Sequence, residues 1–131
     1  MLCISFEQKD GVMIDNLIEN KSFDFAIRIV KLCKFLTTEK KEYILSKQIL
    51  KSGTSIGANV SESQYAQSEA DFLSKNKIAL KEANETEYWL KLLYRTEYID
   101  SVQYNSVYND LNEIIKILIS ICKTLELKIN K

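Results

Sequence analysis

Apolar residues recur along most of this chain at spacings of three and four, the period of helices that bury one side. From Phe23 the repeat runs through Ala26, Ile27, Val30 and Cys33, while Phe25, Ile29, Leu32 and Leu36 form a second apolar stripe. Ser22 has the chemistry of an N-cap, so the first helix is expected to start there. Thr37 to Glu42 is polar and turn-like. Beyond it Leu45, Ile49, Gly53, Ile56 and Val60 mark a second helix. Ser68 followed by Asp71 resembles a capping box and opens a long third helix with Phe72, Ala79, Ala83, Leu90 and Leu93 on its inward seam. Asp100 with Gln103 repeats that starting signal. The fourth helix, with Tyr104, Val107, Tyr108, Leu111, Ile114, Ile115, Leu118, Cys122 and Leu125 on its apolar side, has the strongest amphipathic pattern of all.

No segment alternates as a strand does, and the chain contains no proline. Short polar connections make consecutive helices antiparallel neighbours. The expected fold class is therefore all-α, an antiparallel up-down-up-down four-helix bundle over residues 14–131. Residues 1–13 are set apart as an N-terminal tail, either extra sequence or a stretch before a start at Met13. Helices one and four are apolar beyond a single seam, since Phe25 and Ile29 on one and Ile117, Ile119, Ile121 and Leu127 on the other fall off the main stripes. Large contiguous apolar patches are uncommon on monomers. A homo-oligomer, the chain partnering itself, is the economical expectation.

Composition narrows the chemistry. At 131 residues, 46% hydrophobic and 27% charged, the chain is an ordinary globular domain that needs no metal or disulfide staples. The Met1–Phe6 run lacks a basic flank and is too short for a signal peptide, and the apolar stretch near Ile117 is broken by Lys116 and Ser120. A cytoplasmic protein without membrane partners is expected. Cys3, Cys33 and Cys122 are widely separated and form no CxxC pair, so they read as free thiols. The sequons at Asn20, Asn59 and Asn84 follow no export signal and read as coincidence.

Histidine is absent, which removes Ser-His-Asp and Cys-His triads and the helical ribonuclease motifs that end in histidine. No other nucleophile–base pair stands out, so no catalytic residue is assigned and the protein is not expected to be an enzyme. Glu82, Glu85 and Glu87 invite comparison with di-iron bundles, but those sites also need two Glu-x-x-His pairs. No metal or cofactor is expected.

The most specific stretch runs from Ser52 to Leu93. Ser52, Ser55, Asn59 and Glu62 form a polar line on helix two, roughly 100° around from the apolar line. Gly53 and Gly57 cost helix propensity unless a neighbouring helix approaches closely where their side chains are missing. A phosphate loop is a poor reading of GTSIGAN, because no Lys-Ser/Thr follows and the segment lies inside a helical pattern. Polar groups between helices need partners, so Asn59 or Glu62 is expected to bond across to the Glu85–Thr86 region.

The SGTSIGANVSE run, then Phe72 with Lys75, Ile78 and Ala79, then KEANETEYWLKLL, resemble the bacterial four-helix-bundle proteins named after intervening sequences in large-subunit ribosomal RNA genes. The resemblance covers about Ile14 to Leu127. It implies a bundle that assembles as a ring-like homopentamer, and it extends to the accessory protein of diversity-generating retroelements, a pentameric barrel that binds nucleic acid and a reverse transcriptase. It implies no reaction.

Proteins that neutralise many phosphates carry basic excess or a basic stripe. Here 18 basic residues balance 18 acidic ones. Arg28, Lys31 and Lys34 on helix one, with Lys47 and Lys51 on helix two, are the candidate nucleic-acid contacts, and Tyr94 and Tyr98 beside Arg95 are candidate base-stacking rings. Two functions from different classes follow. One is a non-catalytic scaffold that binds itself and a protein partner. The other is a ring that binds structured or ribosomal RNA.

Overall fold

A computed structural model describes the backbone of residues 9–130 and the side chains of residues 17–130. Four helices make up this region, α1 (Lys9–Glu39), α2 (Leu45–Ser63), α3 (Glu69–Arg95) and α4 (Ser101–Ile129), with no strand among the described residues. Each helix packs on its neighbours in sequence and α1 closes against α4, while the backbones of the diagonal pairs stay apart. Gly53 lies against Ile29 and Gly57 against Ser22, so α1 and α2 run in opposite directions. Ser52–Thr86 with Glu62–Lys75 show the same for α2 and α3. Lys21–Glu113 and Arg28–Asp110 show it for α1 and α4.

The core fills the space between the four helices with Phe25, Ile29, Ile49, Ile56, Phe72, Leu90, Leu111 and Leu118, all essentially inaccessible to water. Burying each such side chain contributes about 1.5–3 kcal/mol, which orients every helix. On α1 the inward seam is Ile18, Ser22, Phe25, Ile29, Leu32 and Leu36, at alternating spacings of four and three. Of the stripe expected from Phe23 to Cys33, Cys33 is buried, but Phe23 is 66% exposed, Ile27 41% and Val30 39%. Ser22 is no N-cap either. It sits inside α1, buried, with its hydroxyl donating to the Glu19 carbonyl at 3.2 Å. On α4 Ile121 joins the core, whereas Ile119 and Leu127 stay exposed as expected. Of the tail proposed for residues 1–13, residues 9–13 belong to α1 and residues 1–8 lie outside the described residues.

Capping explains the helix ends. Ser68 accepts from the Asp71 N–H at 3.0 Å, but the Asp71 carboxylate reaches back to the Gln67 N–H, so the box is displaced by one residue. Asp100 and Gln103 form the full reciprocal box at 2.8 and 2.9 Å. The start of α2 uses a device absent from the sequence expectation: the buried Glu42 carboxylate accepts the N–H groups of Ile44, Leu45 and Ser46 at 2.8–3.1 Å. At the end of α3 the Tyr98 N–H bonds to the Leu93 carbonyl and the Glu97 N–H to that of Tyr94, a Schellman motif with Glu97 at φ 70°.

Candidate functional site

The cycle of helices gives the bundle four side faces, and their chemistry differs. Between α1 and α4 the surface is tied by charge. Arg28 donates to Asp110 Oδ2 at 2.6 Å, to the Ser106 carbonyl at 3.1 Å and to Ser106 Oγ at 2.8 Å. Lys21 pairs with Glu113 at 2.6 Å, and that bond raises the lysine's pKa against a smaller effect of burial.

Between α2 and α3 lies the polar line. Ser52 is fully buried and accepts from the Thr86 hydroxyl at 2.9 Å. Ser55 donates to the Lys51 carbonyl and Asn59 to the Ser55 carbonyl, each within α2. Glu62 pairs with Lys75 at 3.4 Å, and Glu85 accepts from Trp89 Nε1 at 3.5 Å. A polar bond does cross between these helices, but Ser52 makes it. Asn59 has its own helix carbonyl within reach, and Glu62 meets Lys75, about three turns nearer the start of α3 than Glu85.

Gly53 and Gly57 face α1. A Cβ on Gly53 would stand 2.9 Å from both Cγ atoms of Ile29, and one on Gly57 would stand 3.1 Å from the Ser22 carbonyl oxygen. Close helix approach is therefore their role.

That approach leaves a groove on the outside of α1 and α2, with a volume of about 280 Å³ and with Val30, Tyr43 and Leu50 among its walls. Lys34 and Lys47 stand on it together. Phe23 and Ile27 extend its apolar edge along α1, at helical spacing from Val30. Cys33 lies in its floor, donating to the Ser46 carbonyl at 3.3 Å. Burial, with a smaller effect of Glu42, pushes the Cys33 thiol up to about 11. Cys122 is likewise raised, by burial first and then by Glu126. Both are free thiols, and Cys3 lies outside the described residues.

The opposite face, between α3 and α4, is aromatic. Tyr94 stacks on Tyr104 with ring centroids 4.6 Å apart, and Tyr104 on Tyr108 at 5.7 Å. Burial raises the Tyr104 phenol's pKa, helped by Tyr108 and Glu87 and opposed by Arg95. Tyr98 stands apart from this stack, in a cleft of about 390 Å³ at the α3–α4 turn, with Phe35, Lys40 and Glu97. Toward the other end of this face Lys77 pairs with Glu126 at 2.9 Å and Lys128 with Glu69 at 2.7 Å.

Of the five basic residues singled out from sequence, then, the structure brings Lys34 and Lys47 into one groove. Arg28, Lys31 and Lys34 fan across about 120° of the exposed side of α1, and Arg28 is occupied by α4. Lys31 and Lys51 are exposed. Neither Leu50 nor Tyr43 stood out in the sequence, because groove walls depend on how two helices cross. No cluster of three or more metal-ligating side chains occurs among the described residues, and no helix there is long and apolar enough to cross a membrane.

Residues 15–120 match the family of 23S rRNA-intervening sequence proteins. The chain belongs to this family. It is also similar to a protein of unknown function from the S23 ribosomal protein family of Bacteroides thetaiotaomicron, known from a crystal structure. The two share 64% identity over 84% of this chain and 98% of that one, with a TM-score of 0.83. Among proteins of curated function none matches. Family and neighbour therefore establish the bundle and assign no activity.

Proposed function

We propose that this member of the 23S rRNA-intervening sequence family is a non-catalytic scaffold that works as a homo-oligomer and presents its surface to a protein partner in the cytoplasm. The supporting observation is the exposed apolar edge of α1, where Phe23, Ile27 and Val30 stand together beside Leu50. Water contact with such a surface is costly, about 25 cal/mol for each Å², and a second copy is always available to cover it. The family resemblance makes five the expected number of copies. Sedimentation equilibrium of the full chain tests this: a mass of several subunits, persisting at micromolar concentration, is expected, and a single-subunit mass there refutes it.

A second reading is an RNA-binding ring, favoured by Lys34 and Lys47 standing on one groove with Lys31 and Lys51 exposed nearby. The family's name refers to 23S rRNA. Zero net charge speaks against it. Purification with nuclease and high salt, followed by titration of a structured RNA, separates the two readings. Salt-sensitive binding that is lost in Lys47→Glu/Lys51→Glu supports RNA; no binding at low salt removes it.

A further inference from the structure

Two cations without a counter-charge share the groove at the α1–α2 turn. Lys34 stands on its α1 rim and Lys47 on its α2 rim, and neither forms an ion pair among the described residues. By contrast Lys21, Arg28, Lys75 and Lys77 each hold a carboxylate of a neighbouring helix. No carboxylate lines the groove. Of the two acids that the sequence places nearby, Glu42 gives its carboxylate to the N–H groups at the start of α2, and Glu39 stands roughly 120–140° around α1 from Cys33 and Lys34.

Between the lysines the groove is apolar. Val30, Leu50 and Tyr43 form its walls and are 37–55% exposed. Its neutral polar groups are already engaged inside the protein: Cys33 Sγ donates to the Ser46 carbonyl, Ser46 Oγ to the Glu42 carbonyl and Thr37 Oγ to the Cys33 carbonyl. An occupant therefore meets hydrocarbon in the middle and an ammonium group at each rim.

Size decides the kind of occupant. A volume of about 280 Å³ falls short of the roughly 300–1,000 Å³ of sites that enclose a small molecule, and walls this exposed cannot wrap one. Along α1 the groove runs from Val30 to Thr37, about 10 Å, or two turns of a third helix. Two lysines neutralise few phosphates, whereas strongly salt-dependent nucleic-acid binding draws on roughly 6–10 such contacts. Hydrocarbon walls also contribute only when apolar surface covers them, at about 25 cal/mol for each Å².

We infer that this groove is the docking site for an acidic amphipathic helix of a different protein. The apolar stripe of that helix lies on Val30, Tyr43 and Leu50, and carboxylates flanking the stripe meet Lys34 and Lys47. This rests on the scaffold reading proposed above and names the chemistry of its partner. A second copy seated here by a two-fold contact sets lysines against lysines. Ile27 and Phe23, one and two turns beyond Val30 along α1, stay free for self-association.

The probe is a fluorescently labelled helical peptide of about four turns, with leucines at every third or fourth position and glutamates on either side of them, titrated into the full chain by anisotropy. Saturable binding that weakens with salt is expected. Lys34→Glu/Lys47→Glu and Leu50→Ser are each expected to weaken it about tenfold or more, whereas Lys81→Glu, on the exposed side of α3, leaves it unchanged. A peptide with lysines in place of the glutamates is expected to bind the charge-reversed chain in preference to the wild type. Absent binding, equal binding of both peptides to the wild type, or binding that survives both groove variants overturns the inference. So does a structured RNA that binds in the peptide's place and is lost in Lys34→Glu/Lys47→Glu. Circular dichroism checks folding. Should a groove variant unfold, the wild-type chain decides: affinity lost with salt and with serines in place of the leucines supports the site, and indifference to either overturns it. Sedimentation of the same samples separates the two proposals. An oligomer that binds no peptide leaves self-association standing, and a monomer that binds it keeps the partner site alone.

Discussion

Single residues decide how closely α1 and α2 approach. Alanine at position 53 gains roughly 1 kcal/mol of helix propensity, but its methyl would meet the buried Ile29 Cγ atoms at 2.9 Å. Overpacking of this kind costs about 1–3 kcal/mol. Gly53→Ala is thus expected to lower stability, and less so in an Ile29→Ala background; equal losses in both backgrounds, measured by urea unfolding, contradict the contact. Cys33 gives a pH signature. A folded thiol pushed up to about 11 stays protonated where the unfolded thiol ionises, so the unfolded state holds fewer protons and stability falls with rising pH. The loss begins near pH 9, the ordinary thiol value, and continues to about pH 11, on the order of 1–3 kcal/mol. Cys33→Ala is expected to flatten that part of the profile. Both effects require the folded neighbours; in sequence Gly53 signals close approach of a helix but not that Ile29 makes it, and Cys33 shows only as a lone thiol.

Helix boundaries are settled at the scale of the element. Glu42 holds three N–H groups at the start of α2, the innermost of them buried at Ser46, and leaving such a donor without its acceptor costs about 1–3 kcal/mol. Glu42→Ala is expected to lose that much in thermal or urea unfolding, whereas an unchanged midpoint assigns the capping to water. Glu97 is the opposite case. Its left-handed conformation, φ 70°, suits glycine, and Glu97→Gly is expected to raise stability by up to about 1 kcal/mol. A matching loss in Glu97→Gly shows instead that the side chain contributes. The boxes at Ser68 and Asp100 were legible because their partners lie three residues away. Glu42 was not, since its carboxylate caps from two residues before the Ile44 N-cap.

For the whole molecule, the distribution of apolar surface over the four faces is the property with functional weight. Exposed ion pairs contribute little to stability, about 0–1 kcal/mol each. Breaking Lys21–Glu113 with Lys21→Ala is therefore expected to shift unfolding by less than about 1 kcal/mol and to leave the subunit mass unchanged. Phe23→Ser, on the apolar edge, is expected to do the reverse: a folded chain of lower mass. Equal effects on mass from both variants leave the apolar edge no special part in assembly.

The sequence by itself determined four helices, their order and direction, the seams of α2 and α3, the caps of α3 and α4, and a family resemblance. These follow from local periodicity, short connections and hydrogen bonds within a few residues. Tertiary structure alone decided which of two apolar stripes on α1 turns inward, that Ser22 lies within a helix, that Ile121 belongs to the core, and that Ser52 rather than Asn59 bonds to Thr86. Periodicity says which residues share a face of a helix, but not which neighbour that face meets. Here Ser22 and Ile29 meet the missing side chains of Gly57 and Gly53; that crossing turns Phe23, Ile27 and Val30 outward and creates the surface on which the proposed assembly depends.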